Sequence, residues 1–102
     1  MSVKVMVFGT FDGVHEGHLD FFRQAKEYGD YLVVVVGRDE NVEKLKNRLP
    51  KKSEKERLED VKRCELVDET LLGYKKDPYK IIGKIKPDVI CLGYDQRYFA
   101  DG

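Results

Sequence analysis

The stretch Val5–His18 reads V-M-V-F-G-T-F-D-G-V-H-E-G-H and decides the fold of this 102-residue chain. An apolar run ends at Gly9, a turn follows, and His15 and His18 stand three residues apart at a predicted helix start. Gly9 lets the backbone approach a ligand closely, and a helix start offers free N–H groups and a positive dipole end. Residues at i and i+3 share one helix face, so both imidazoles would face the same ligand. The stretch therefore predicts a phosphate-handling strand–turn–helix unit.

Strand-like and helix-like segments alternate along the rest of the chain, which predicts an α/β fold with a parallel sheet. Right-handed crossovers would make it a doubly wound, Rossmann-like sheet of about four strands with flanking helices. Ligands bind beyond the carboxyl ends of such strands, and Gly9, Gly37 and Gly93 mark three of those ends. The expected strands are 3–8, 31–36, 66–72 at an edge, and 89–92. The expected helices are 15–28, 53–63 and 78–85, and 39–47 is either a short basic helix or a lid segment.

The charged side chains balance, with 19 Lys and Arg against 19 Asp and Glu. This balance gives no electrostatic reason to expect nucleic acid or an anionic membrane as a partner. No run reaches the ~20 apolar residues of a membrane span, and the first residues lack a signal-peptide pattern. Cys64 and Cys91 fit no metal-ligand spacing. We therefore expect one cytoplasmic domain with two reduced thiols and no metal site built from protein side chains.

The stretch Gly9–His18, G-T-F-D-G-V-H-E-G-H, resembles the G-T-F-D-x-x-H-x-G-H signature of the cytidylyltransferase-like nucleotidyltransferases. The stretch Lys86–Gln96, K-P-D-V-I-C-L-G-Y-D-Q, is similar to the archaeal FAD synthases of that superfamily. The resemblance implies transfer of a nucleoside monophosphate from a triphosphate to a phosphorylated acceptor, with release of pyrophosphate. Two versions stay open: AMP from ATP onto FMN, or CMP from CTP onto glycerol-3-phosphate or a similar small phosphate. Mg²⁺, carried by the nucleotide phosphates, is the implied cofactor.

The resemblance implies that His15 and His18 stabilise the α-phosphate and the leaving group. Lys44 and Arg57 are the other implied catalytic residues, and Arg57 would reach substrate phosphates from its helix. The alternative for Arg57 is a surface ion pair with a residue four positions away. Phe11 is favoured for packing, although its position also places it among the implied nucleotide contacts. The implied nucleotide-binding residues are Phe8, Gly9, Thr10, Phe11, His15, Gly17, His18, Gly93, Tyr94, Asp95 and Gln96.

The implied acceptor-binding residues lie after the first and second strands. Lys44 and Lys46 would place two cations against an anionic acceptor, and the alternative is a solvated basic helix. Arg38 follows a predicted strand end and is a third candidate. Asp12 is the fourth, although it could equally cap a helix or orient a histidine.

A second phosphate-binding motif is usual in this superfamily, an R-T-x-x-x-S-[ST]-like stretch after the fifth strand, and residues 1–102 contain no such stretch. We therefore expect the family's C-terminal part to be missing. Losing phosphate contacts typically costs ~3 kcal/mol or more of transition-state stabilisation, so nucleotide binding should survive more readily than turnover. A nucleotide-binding module without catalysis is thus a third alternative. A fourth strand left at an open sheet edge would favour a homodimer.

Overall fold

The computed structural model describes residues 3–14, 16–74, 76 and 80–91, without the side chains of residues 45 and 46. Strands and helices alternate along these residues, and all four strands pair in parallel. The elements are β1 (Lys4–Gly9), α1 (Glu16–Lys26), β2 (Tyr31–Val36), α2 (Asp39–Lys46), α3 (Glu54–Lys62), β3 (Glu69–Leu72), α4 (Lys80–Ile85) and β4 (Val89–Cys91). The strand order is β3-β2-β1-β4.

Two hydrophobic cores cover the two faces of the sheet, because alternate residues of a strand point to opposite sides. On one face, Val7 packs in a cluster with Phe22 of α1 and Val61 of α3. On the other face, Met6 packs in a cluster with Ile81 of α4. Helices therefore lie on both faces, and the predicted doubly wound, Rossmann-like fold is confirmed. Burial from both sides explains the almost continuous apolar character of β1 and β2.

Several predicted elements agree closely with the structure. β2 spans the predicted residues, Tyr31–Val36, and β3 lies at an end of the four-stranded order. The predicted capping box opens α3: the Glu56 N–H donates to the Ser53 hydroxyl at 3.2 Å, and the Ser53 N–H donates to the Glu56 carboxylate at 3.1 Å. These features depend on contacts between near neighbours, which the sequence displays directly.

Among the described residues, two predicted boundaries differ from the structure by two residues or more. α1 ends at Lys26 and not at residue 28, because the N–H of Tyr28 donates to a carbonyl only three residues back and so tightens the last turn. β3 begins at Glu69 and not at residue 66, because the N–H of Val67 donates to the carbonyl of Cys64 and forms a turn there. The apolar residues before β3 pack on the core from this turn.

Three aspartates, Asp30, Asp68 and Asp88, immediately precede β2, β3 and β4. Each carboxylate accepts a hydrogen bond from a backbone N–H near the start of the neighbouring strand, and each aspartate N–H donates to the carbonyl of that same partner residue. The partners of the three carboxylates are, in the same order, Val3 at 3.1 Å, Leu32 at 2.8 Å and Lys4 at 2.8 Å. These reciprocal pairs fix the register of adjacent strands at their amino ends.

Among the helices that the structure describes, none has the length and apolar character needed to cross a bilayer.

Candidate functional site

The turn after β1 carries the predicted phosphate-binding motif. The N–H of Gly37, which follows β2, donates to the carbonyl of Gly9 at 3.0 Å, so the ends of β1 and β2 are joined. Thr10 follows Gly9, and α1 begins at Glu16 with His18 in its first turn. The structure therefore brings Gly9, Thr10 and His18 to the carboxyl edge of the sheet. Their contact with a nucleotide stays a prediction, and His15 lies outside the described residues.

Phe11 fills the centre of this turn. Its φ of 54° is in the left-handed region that L-residues rarely adopt, and the residue is only 2% exposed. The ring meets the His18 imidazole edge-on at a centroid distance of 5.3 Å and lies 5.4 Å from the ring of Phe22. A Cβ at Gly9 would come within 2.6 Å of the ring. Phe11 therefore belongs to the core, as its packing alternative predicts, and it supports one side of His18.

Arg57 is completely buried, at 0% exposure, on α3. Its Nη2 donates to Asp39 Oδ1 at 2.6 Å, its Nη1 to the Thr10 carbonyl at 2.8 Å and its Nε to the Lys52 carbonyl at 3.1 Å. The surface ion-pair alternative is wrong, because the ion-pair partner is on another helix and the guanidinium is inaccessible to solvent. Because Arg57 is fully buried, a substrate phosphate could reach its guanidinium only if the protein groups that cover it moved aside.

Arg57 belongs to a charge-balanced group that we call the strand-end cluster, consisting of Arg38, Asp39, Glu54 and Arg57. The Arg38 guanidinium donates to Glu54 Oε2 at 3.0 Å and to the Gly73 carbonyl at 2.8 Å. Asp39 and Glu54 hydrogen-bond to each other. The Asp39 N–H donates to the Glu54 carboxylate at 2.9 Å, and the Glu54 N–H donates to the Asp39 carboxylate at 3.3 Å. The cluster thus joins the ends of β2 and β3 to the starts of α2 and α3. If Arg38 bound the substrate that accepts the nucleotide, that contact would compete with its hydrogen bonds to Glu54 and the Gly73 carbonyl.

Asp12 faces the turn that precedes α3. Its two carboxylate oxygens accept from the backbone N–H groups of Lys51 at 2.8 Å and Lys52 at 3.0 Å. Partial burial by itself would raise the pKa of Asp12, but these two donors and the charges of Arg57 and Lys51 together lower it below its ordinary value. Asp12 therefore caps the turn before α3. Acceptor binding by Asp12 stays a prediction, and an ionised carboxylate would meet the hydroxyl groups of an acceptor and not its phosphate.

The other predicted residues are placed as follows. Lys44 is exposed on α2, whereas the Lys46 side chain and residues 93–96 lie outside the described part of the chain. Gly17 lies in the first turn of α1, beside His18. The side chain of Phe8 is buried in the core on the α4 side of the sheet, while His18 packs with Phe11 on the opposite side. Only the backbone of Phe8 is therefore placed for the predicted nucleotide contact.

Sequence reasoning missed the part that Glu54 plays in this edge of the sheet. Glu54 contacts Asp39 across a separation of 15 residues, and Arg57 contacts Asp39 across 18. The capping box predicts where α3 begins, but no local pattern indicates which side chains its first turn will meet. The cluster could be found only once the strand order had brought α2 and α3 together.

A groove of about 430 Å³ opens at the opposite, amino end of the sheet, lined by Lys4, Tyr31, Glu69, Lys86 and Asp88. The Tyr31 hydroxyl donates to the Glu69 carboxylate at 3.0 Å, and this hydrogen bond raises the pKa of Tyr31. The groove contains none of the predicted site residues, and its two lysines are matched by two carboxylates.

Comparison with known proteins identifies the family of this Rossmann-like domain. The sequence model of the cytidylyltransferase-like family matches residues 6–100. The chain belongs to this family.

Relatives of the chain carry a more specific name. It is 50% identical over 96 residues to the FAD synthase of Ferroglobus placidus, covering 93% of this chain and 61% of the relative. It is 45% identical over 98 residues to the FAD synthase of Methanosarcina barkeri, covering 96% of this chain and 69% of the relative. The chain thus spans about three fifths to two thirds of the length of these curated relatives. A crystal structure of the lipopolysaccharide core biosynthesis protein of Thermoplasma volcanium superposes with a TM-score of 0.87 at 38% identity, covering 95% of this chain and 79% of that one.

Proposed function

We propose that this chain is the nucleotide-binding part of an adenylyltransferase that moves AMP from ATP onto FMN and releases pyrophosphate. The observation that carries the proposal is the position of His18. It lies in the first turn of α1, just beyond the carboxyl end of β1, at 8% exposure against Phe11. Relatives named FAD synthase at 42–50% identity support the choice of ATP and FMN over CTP and glycerol-3-phosphate.

In the proposed reaction a phosphate oxygen of FMN attacks the α-phosphorus of ATP, and the bond between the α-phosphorus and the bridging oxygen to the β-phosphate breaks. Such transfers depend on positioning and on charge stabilisation, because no covalent intermediate on the protein is required. His18 would donate a hydrogen bond to the α-phosphate or to the departing pyrophosphate, with His15 as its proposed companion. The first backbone N–H groups of α1 and the hydroxyl of Thr10 would hold the remaining phosphate oxygens.

The acceptor would lie on the α2 side of the site. Lys44 is exposed there and is free to swing towards a phosphate, because a lysine has a long, flexible side chain. Lys46 is a second proposed contact. Residues Gly93, Tyr94, Asp95 and Gln96 are proposed to hold the nucleoside, with Asp95 on the ribose or the base.

The cofactor, oligomer and compartment also belong to this proposal. Within the described residues, no three or more His, Cys, Asp and Glu side chains come together as a metal site. Mg²⁺ would therefore enter as part of the nucleotide substrate, with phosphate oxygens as ligands. A homodimer would cover β4, where Ile90 is 43% exposed at an end of the described sheet. Free thiols at Cys64 and Cys91 support a cytoplasmic location.

The test begins with calorimetric titration of the chain with ATP and with CTP, each with Mg²⁺, followed by an assay of FAD formation from ATP and FMN with parallel detection of pyrophosphate. The proposal expects ATP to bind more tightly than CTP and FAD to form with an equal amount of pyrophosphate. Asp95→Ala should weaken ATP binding, and Asp20→Asn, at an exposed position on α1, is the matched control.

Each other outcome points to a different function. A preference for CTP, with pyrophosphate released only when glycerol-3-phosphate or a similar small phosphate is present, would identify a cytidylyltransferase. Tight binding of ATP with no pyrophosphate from any acceptor would identify a nucleotide-binding module without catalysis.

A further inference from the structure

A chain of contacts connects the strand-end cluster to the imidazole of His18. Asp39 holds Arg57 at 2.6 Å, and Arg57 donates to the Thr10 carbonyl at 2.8 Å. That carbonyl belongs to the peptide bond that precedes Phe11, the residue with a left-handed φ of 54°. The ring of Phe11 then meets His18 edge-on at 5.3 Å. Each step involves a direct contact, and both Arg57 and Phe11 are buried.

The backbone at Phe11 needs such support. A left-handed φ brings the Cβ of an L-residue too close to its own backbone, so a residue with a large side chain keeps it only when its surroundings impose it. A hydrogen bond from a charged donor inside a desolvated site is stronger than one between neutral groups. The Arg57 guanidinium is such a donor, and it binds the Thr10 carbonyl. That carbonyl is part of the Thr10–Phe11 peptide group, so fixing it also fixes the peptide plane that defines φ of Phe11.

We propose that Arg57 is a positioning residue for His18. Held by Asp39, it fixes the Thr10 carbonyl, keeps Phe11 in its left-handed conformation and so sets the ring against which the imidazole packs. Asp39 is also the first residue of α2, so the same ion pair aligns the helix that carries Lys44 with the turn before α1. This inference rests on the proposed function only in assigning His18 to the triphosphate. It replaces the predicted phosphate contact of Arg57 with an action through Phe11.

The test uses two variants with matched controls. Arg57→Lys keeps the charge, but a single ammonium group cannot reproduce the planar fork of donors that serves three acceptors. Asp39→Asn keeps the shape of the partner and removes its charge. Arg23→Lys and Asp20→Asn are the controls, because Arg23 and Asp20 form another arginine–aspartate pair with a 2.6 Å contact, at 54% and 68% side-chain exposure, on the helix that carries His18.

The first readout is the NMR spectrum of the imidazoles, which needs no substrate. The chain has two histidines, so the His18 signals can be assigned with a His15→Gln variant. We expect Arg57→Lys and Asp39→Asn to shift the His18 ring protons, because the Phe11 ring moves, while both controls keep wild-type signals. Wild-type His18 signals in a folded Arg57→Lys or Asp39→Asn variant would overturn the inference. Asp39→Asn carries the test if Arg57→Lys does not fold.

The second readout is turnover. A displacement of the order of 1 Å in a catalytic group can cost about 100-fold, so we expect kcat to fall about 10- to 100-fold in both variants, with KM for ATP little changed. The Arg57→Lys/Asp39→Asn double variant should be no slower than the slower single variant, since both changes break one connection. Fully additive losses would contradict a shared route. If the wild-type chain turns over no nucleotide, the proposed function fails, while the NMR comparison still decides whether Arg57 positions His18.

Discussion

Replacing Gly9 with alanine would put a methyl group into space that the ring of Phe11 occupies. The added Cβ would lie 2.6 Å from Cζ and 2.8 Å from Cε2 of the ring. Carbon atoms in contact normally sit about 3.5–4.0 Å apart, so the overlap is roughly 1 Å. The φ of Gly9 is not left-handed, and alanine can adopt this backbone. The predicted effect is therefore steric and comes from the ring alone.

Neither the strand nor the ring can move away freely. Gly9 is paired with Val36 of β2, and its carbonyl also accepts from the N–H of Gly37. The ring of Phe11 is held by its neighbours His18 and Phe22. Overpacking of this kind costs about 1–3 kcal/mol. For a domain of this size, each kcal/mol lowers the melting temperature by about 4–8 °C, so we expect a fall of roughly 4–24 °C.

Thermal unfolding followed by circular dichroism measures this effect, with Gly83→Ala as the matched control. Gly83 lies in α4, and a Cβ there would meet nothing within 4 Å. Alanine favours a helix over glycine by about 0.8–1.0 kcal/mol, so the control should melt at a higher temperature than the wild type. In a Phe11→Leu background, Gly9→Ala should cost less, because the shorter side chain leaves room. A wild-type melting temperature for Gly9→Ala would falsify the steric explanation.

Three further predictions concern the site and acid stability. His18→Ala should lower kcat by roughly 10²–10³-fold, since His18 is proposed to stabilise charge in the transition state; unchanged turnover in the steady-state assay would remove it from the mechanism. Lys44→Ala should raise KM for the acceptor more than KM for the nucleotide, and an unchanged acceptor KM would return Lys44 to the solvated helix surface. Burial alone would raise the pKa of Asp68, but hydrogen bonds from the Lys26 ammonium and the Leu32 N–H lower it below its ordinary value. Its contribution to stability is thus present above the unfolded-state pKa of about 3.9 and lost as the pH falls through the lowered folded-state pKa. Urea unfolding between pH 6 and pH 3 should therefore show a smaller acid loss in Asp68→Asn, and equal losses in both proteins would contradict this assignment.

Most of the fold could be predicted because it depends on sequence patterns within short stretches of the chain. The apolar run of β2 and the capping box of Ser53 and Glu56 each depend on residues close together in the chain. The end of α1 was misplaced because hydrophobic periodicity does not show where the backbone hydrogen bonds change. At that end the donor and acceptor are three residues apart, and not four as in an α-helix. The three aspartates before β2, β3 and β4 were visible in the sequence, but their partners lie 27 to 84 residues away.

The site was less predictable, for the same physical reason. The motif Gly9–His18 indicated that β1 would deliver phosphate-binding groups to the sheet edge, and the structure brings Gly9, Thr10 and His18 there. The family resemblance implied that Arg57 contacts substrate, and its charged neighbours in the chain suggested a surface ion pair as the alternative. Its burial arises from Asp39 and from the Thr10 carbonyl, which is 47 residues away. Such long-range contacts decide the role of a charged side chain, and no spacing rule within a helix encodes them.

The aspartate pairs at the amino ends of the strands also bear on the order in which the chain acquires its structure. The pair that joins Asp30 to Val3 closes 27 residues, whereas the pair that joins Asp88 to Lys4 closes 84. Loop closure over the longer span costs about 1 kcal/mol more in chain entropy. We therefore expect β1 and β2 to align well before β4 has been synthesised, and β4 to dock last onto strands whose register is already set. Pulse-labelled hydrogen exchange during refolding should show amides of β1 and β2 protected before those of β4.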